Sequence, residues 1–151
     1  MPEPFTVVEL TASETHHLRR RVLRDGTPSS DVTYTQDALA TAWHLGVRRG
    51  AMLVGVSTWA PEPWPDAPTA SAIRLRGMAV DQTEQGTGVG AILLAAGVDR
   101  ARLTGAALVW ATARDRVLGF YERCGFTRVG DGFVDPLTGL PHHRIVIALR
   151  P

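Results

Sequence analysis

Met78-Ala79-Val80-Asp81, three polar residues, then Gln85-Gly86-Thr87-Gly88-Val89-Gly90-Ala91: an apolar strand end runs into a glycine cluster and out into an apolar helix. Glycine lets the chain turn sharply and removes side chains that would hold a ligand off the backbone. The first amides of the following helix have no intrahelical acceptor, and the helix dipole adds partial positive charge there. Strand, glycine turn and helix mouth in that order make a seat for a diphosphate.

Working outward, the helix should run to about Leu103, with Val89, Leu93, Ala96 and Leu103 on one face, Ile92 beside it and Arg100 interrupting the stripe. Gly105 ends it. Ala106–Ala111 is a continuous apolar run, as expected of a strand covered on both faces. Ser71–Val80 reads as the strand before the glycines, so Ser71–Ala111 is a strand–helix–strand unit with its two strands parallel.

Upstream, Thr6–Leu10 reads as a strand, and Ser13 caps a helix from about Glu14 to Arg24 that Asp25-Gly26-Thr27-Pro28 breaks. Pro28 to about Ala40 is polar, a loop or a short helical turn. Ala42–Val47 and Met52–Trp59, joined by Arg48-Arg49-Gly50, form a hairpin pattern. Four prolines between Pro61 and Pro68 exclude regular structure there. Downstream, a helix is expected from about Asp115 to Arg123, stopped by Gly125, with Phe126–Val129 and Arg144–Leu149 as the last strands. The whole is a mixed α/β sheet with helices on its faces.

At 151 residues and 44% apolar content the chain suits one domain, residues 1–151, with no repeat or internal boundary. Sixteen basic residues face fifteen acidic ones, so no broad basic field favours nucleic acid or an anionic membrane. All sixteen are arginine, which leaves no lysine to act as a catalytic amine. Met1–Phe5 lacks the basic and apolar parts of a signal peptide, and no run is long enough to span a bilayer. The single cysteine, Cys124, cannot make an internal disulfide. The expected location is the cytoplasm.

Gly86-x-Gly88-x-x-Ala91 also satisfies a loose dinucleotide fingerprint. Against that, the cluster lies past mid-chain, and Ala106–Ala111 carries no acidic residue at its end to hold a ribose. A Walker-type phosphate loop is excluded by the absence of lysine.

Gln85-Gly86-Thr87-Gly88-Val89-Gly90 resembles the Gln/Arg-x-x-Gly-x-Gly/Ala signature of the GNAT superfamily of acyl-CoA N-acyltransferases. Ala113-Arg114 followed by Gly119-Phe120-Tyr121-Glu122-Arg123-Cys124-Gly125-Phe126 resembles that family's second motif, about thirty residues on. The resemblance spans Ser71–Phe126 and implies a six- to seven-stranded mixed sheet with about four helices, its strands at Met78–Val80 and Ala106–Ala111 splayed to admit pantetheine. It further implies that acetyl-CoA is the cosubstrate, that Met78, Ala79 and Val80 meet pantetheine and supply a backbone donor to the acyl oxygen, and that Gln85–Gly90 hold the diphosphate. Tyr121 takes the place of the general acid to the leaving thiolate. Arg114 stands where the family usually has Asn, so it is either a phosphate contact or an ordinary arginine at a helix start.

The reaction so implied is direct transfer of acetyl to a primary amine of a small molecule or peptide in a ternary complex; the alternative is a non-catalytic acyl-CoA-binding or sensing domain on the same fold. His44, Asp81, Glu122, His142 and His143 are the candidate bases, without a motif to choose among them. His142 and His143 follow a Gly139-Leu140-Pro141 turn that resembles one in a bacterial branch of small GNAT proteins. Arg74 and Arg76 alternate on one strand face, either as a lure for an anionic substrate or simply solvated, and Arg19-Arg20-Arg21 reads as the wet side of the first helix. The proline-rich segment with Trp59 and Trp64 forms a substrate-side rim or a rigid surface loop with two partly buried indoles. No histidine spacing supports a metal. Cys124, without a histidine nearby in sequence, is a poor nucleophile. Assembly as a homodimer is compatible with all of this.

Overall fold

A computed structural model describes residues 3–149; Met1, Pro2, Arg150 and Pro151 lie outside the described residues. Seven strands form one sheet in the order β1-β2-β3-β4-β5-β7-β6. They are β1 (Phe5–Leu10), β2 (Trp43–Arg49), β3 (Met52–Pro61), β4 (Ala72–Val80), β5 (Leu108–Arg114), β6 (Thr127–Val134) and β7 (Pro141–Ala148). Only β4 and β5 pair in parallel; the other neighbours are antiparallel. Among the described residues three α-helices accompany the sheet: the single turn α1 (His16–Leu18), the long α2 (Val89–Leu103) and α3 (Leu118–Arg123). No described helix is long and apolar enough to cross a membrane.

α2 packs on β1 to β4, and its buried residues are Val89, Leu93, Leu94, Gly97, Val98 and Ala101. The apolar stripe is therefore rotated from the expected one. Leu103 is 89% exposed and Ile92 is also exposed, because the sheet lies under the Leu94–Gly97–Ala101 side. Trp59, expected at best to be partly buried, is fully buried and stacked on Trp43 at 6.3 Å. Trp64 is buried against Trp110 rather than on a substrate rim.

The first helix departs most from the expectation of one regular element over Glu14–Arg24. It is a 3-10 turn (Ser13–Thr15), the α1 turn, and a π turn (Arg19–Leu23). The cause is Arg19. Far from facing water, it is 0% exposed; Nη1 donates to Asp37 Oδ2 and Val32 O at 2.8 Å each, and Nη2 donates to Asp37 Oδ1 at 2.9 Å and Thr58 Oγ1 at 2.5 Å. A buried guanidinium costs several kcal/mol unless so paired. This segment covers the sheet face opposite α2, where Leu10, Leu18, Val56 and Ala79 form a second cluster. β6 is longer than Phe126–Val129 because a register shift between Val129 and Phe133 lets it resume pairing with β7.

Candidate active site

β4 and β5 stay together for only three registered pairs, Ala72↔Leu108, Ile73↔Val109 and Arg74↔Trp110. Beyond Trp110, β5 keeps its pairing with β7 as far as Arg114↔His142 but has no partner on the β4 side. A bulge in β4 accompanies the separation: Val56 pairs with Ala79 but Thr58 with Arg76, so Gly77 and Met78 together oppose Ser57. Gly77 has φ +60°, and a Cβ there would stand 2.8 Å from Arg19 Nε and from Tyr34 Cε2. Bulges bend a strand and increase its twist, which re-aims the residues beyond them. The gap opens into a cleft of about 900 Å³, walled by Leu75–Met78 and Val80 on one side and Ala111–Arg114 on the other.

At one end of the gap stands the mouth of α2. Gly88 caps it with φ +94°, a conformation that glycine adopts without strain. The first intrahelical bond is Ile92 N–H to Gly88 O, so the preceding amides are without helical acceptors. Gln85, Gly86, Gly88 and Gly90 line the cleft. Thr87 and Val89 do not: Thr87 Oγ1 donates to Glu84 O at 2.5 Å, and Val89 is fully buried under α2. Ala79 likewise turns its methyl into the cluster on the far face. Along β4, Asp81 N–H donates to Val54 O, on the β3 side. Alternation along the strand then points the Val80 N–H into the gap that β5 has left, where Gln85 Nε2 also meets Val80 O at 3.5 Å.

α3 brings Tyr121 to the cleft wall. Its ring is held edge-on between Phe120 and Phe126, with centroids at 5.2 and 5.7 Å. Burial, with a smaller contribution from Cys124, pushes its pKa well above the usual value of 10, so the phenol keeps its proton. Among the described residues nothing hydrogen-bonds that hydroxyl. Most buried tyrosine hydroxyls find a partner; this one faces a cavity.

The other end of the cleft is built from four separate segments: Val22–Arg24, Tyr34, Arg76 on β4, and Asp135, Leu137, Thr138 and His142 around the β6–β7 connection. Of the five candidate bases only His142 lines the cavity. Its Nδ1 lies 2.9 Å from Leu140 O; a carbonyl only accepts, so the neutral ring carries its proton on Nδ1 and leaves a lone pair on Nε2. His44 is buried against Thr58, Asp81 caps a 3-10 turn through Thr83, Glu122 pairs with Arg128 at the surface, and His143 pairs with Asp115. Arg114 lines the cleft, but its guanidinium donates to Leu23 O. Burial, and then Arg116 and Arg24, lower its pKa. Among the described residues no group of three or more His, Cys, Asp or Glu is gathered to hold a metal ion. Sequence patterns missed Tyr34 and Arg24 altogether, because neither belongs to a motif; a polar, aromatic-bearing stretch between a broken helix and a strand was the sole signal.

Residues 12–126 match the model of the Acetyltransferase (GNAT) family. The chain belongs to that family. A relative from Bacillus subtilis (strain 168), the uncharacterized N-acetyltransferase YitI, is 29% identical over 140 residues, covering 93% of each chain. The GNAT fold recurs in FeeM, an N-acyl amino acid synthase from uncultured soil microbes, at TM-score 0.78 and 16% identity over 98% of this chain and 92% of that one. It recurs also in Escherichia coli ElaA, at TM-score 0.75 and 18% identity over 97% and 99%. At such identities the likeness is one of fold. The GNAT match and the N-acetyltransferase relative make this chain an acyltransferase, and the dinucleotide reading of the glycine cluster falls away.

Proposed function

We propose that the protein transfers an acetyl group from acetyl-CoA to a primary amine by direct attack in a ternary complex. The observation that carries this reading is Tyr121: a phenol that burial keeps protonated, free of any hydrogen bond among the described residues, in the wall of a cleft that begins at the α2 mouth. The diphosphate rests on the amides around Gly86, Gly88 and Gly90, with Gln85 beside them. Thr87 and Val89 contribute backbone alone. Pantetheine runs along Met78–Val80 where β5 has withdrawn, and the Val80 N–H receives the acyl oxygen as charge develops on it; a prealigned donor of that kind contributes about 3–4 kcal/mol to a transition state.

The acceptor enters from the His142 end. His142 Nε2 takes a proton from the amine, nitrogen bonds to the carbonyl carbon, and the carbon–sulfur bond breaks. Tyr121 gives its hydrogen bond, then its proton, to the departing sulfur. A thiol has a reference pKa of about 8.5 against about 10 for a phenol, so the thiolate needs only modest help from so weak an acid.

Tyr121→Phe removes the donor while keeping the ring between Phe120 and Phe126. The expected result is a loss of about 10²–10⁴-fold in kcat with the Kd for CoA unchanged. A variant that retains the full rate removes Tyr121 from the chemistry, and a wild type that binds acetyl-CoA but turns over no amine in a broad panel points to the acyl-CoA sensing role instead.

A further inference from the structure

The cleft is strongly cationic in a chain whose formal charge is only +1. Its walls carry Arg24, Arg76, Arg114, Arg116 and Arg123 against one carboxylate, Asp135. Most described arginines outside the cleft have carboxylate partners, among them Arg19–Asp37 and Arg49–Glu84 at 2.8 Å, Arg74–Glu62 at 2.6 Å and Arg100–Glu9 at 3.1 Å. Arg24, Arg76 and Arg114 have none among the described residues.

Each of the three is instead fixed by neutral groups. Arg76 Nη1 donates to Gln36 Oε1 at 2.8 Å, and its guanidinium lies 4.9 Å from the centre of the Tyr34 ring. Arg114 donates to Leu23 O, and Arg24 Nε donates to Asp31 O at 2.7 Å. A carbonyl or an aromatic face orients a guanidinium without neutralising it. Burial, then the neighbouring Arg74 and Arg116, lower the pKa of Arg76 and Arg114 respectively, and the opposing pull of Glu62 and Asp135 on Arg76 and of Asp135 on Arg114 does not cancel the shift. Asp135 does not offset three cations, and its Oδ2 is engaged by Thr138 N–H and Thr138 Oγ1 at 2.9 Å each. Keeping several positive charges half-buried with too few carboxylates and no ion pair is costly for the protein alone. The cost is recovered when an anion arrives, and arginine forks suit carboxylate and phosphate alike.

Arg76 and Arg114 face Tyr34 and Asp135, and Asp135 in turn faces His142 and Arg24. The geometry points to an acceptor amine that also carries an anionic group, carboxylate or phosphate, received by Arg76, Arg114 and Arg24 while the amine faces His142 and Asp135. This rests on the acetyl-transfer reading for the direction of entry, but not for the anion preference itself.

The test uses pairs that differ only in charge: α-amino acids against their α-carboxamides, with O-phosphoethanolamine and spermidine as further arms. Binding to CoA-loaded protein is read by calorimetry and turnover by thiol release. The acids or the phosphoamine should bind with a Kd about tenfold or more lower than the carboxamides, or turn over with a kcat/KM about tenfold or more higher, the scale of a charge-assisted hydrogen bond; which anionic arm wins names the group. Arg76→Gln should collapse that ratio toward one while KM for acetyl-CoA holds, and Arg24→Gln repeats the measurement should the first variant fold poorly. Equal handling of acids and amides, preference for spermidine, or no binding of any arm overturns the proposal. Anion-selective binding without turnover leaves it standing and sinks the acetyl-transfer reading instead.

Discussion

At the scale of single residues, the structure's main surprise is the polar chain that runs through its core. Arg19 Nη2 donates to Thr58 Oγ1, and the hydroxyl lies 2.8 Å from His44 Nδ1. The hydroxyl proton needs an acceptor, so the threonine donates onward and His44 sits neutral with Nδ1 bare. Burial lowers the His44 pKa below 6.5; Asp37 and Glu9 oppose this, while Arg19 and His16 add to it. The sign comes from linkage. A histidine with a depressed folded pKa binds more protons unfolded, so its contribution is complete above the unfolded pKa and shrinks as pH falls below it. Carboxylates held low in the fold, Asp37 and Asp135 among them, lose theirs only at far lower pH. The thermal midpoint should therefore drop as pH goes from about 7 to about 5, and His44→Gln should flatten that slope. An unchanged slope in the variant would assign the effect elsewhere.

Among the elements, α2 is pressed hardest onto the sheet at Gly97, where a Cβ would lie 1.8 Å from Trp59 Cζ2. Helix propensity favours alanine over glycine by about 1 kcal/mol. Overpacking a rigid core costs about 1–3 kcal/mol, and here the obstacle is a fully buried indole stacked on Trp43. Sterics should win: Gly97→Ala is expected to lower stability by up to about 2 kcal/mol, a Tm loss of a few degrees by calorimetry, whereas a stabilised variant would mean that the indole swings aside freely. The same contrast between local and distant causes explains what the sequence made legible. The strand, glycine turn, helix and strand over Ser71–Ala111 are written in local periods and breakers, and they folded as such. α2 showed its helix but not its face, since which side is buried depends on where β2 and β3 lie. The broken first helix was illegible because its cause, the pull of Asp37 and Thr58 on Arg19, spans 18 and 39 residues. Tyr121 and the glycines could be singled out from motifs; Arg24, Tyr34 and Asp135 could not, because four segments meet only in the fold.

For the molecule as a whole, the sheet is stitched along six seams, and one is left half open. β4 and β5 share three registered pairs while β5 and β7 share seven. The backbone on the open side, including the Val80 N–H, has no strand to pair with, although buried amides in folded proteins are almost always satisfied. A ligand that runs along β4 would close that seam and hold the two halves of the sheet together. Coenzyme A should then stabilise the protein beyond its few contacts at the α2 mouth. Mass action alone gives about 2.7 kcal/mol at a hundred times Kd, which for a domain of this size is about 5–10 °C in Tm. Hydrogen exchange should slow at Met78–Val80 and Ala111–Arg114 together, more than in α1 or β1. If CoA raises Tm but protects only Gly86–Gly90, the diphosphate alone is held and the open seam serves another ligand. If saturating CoA moves neither Tm nor exchange, the gap between β4 and β5 is not a pantetheine channel, and the roles given to Val80 and Tyr121 go with it.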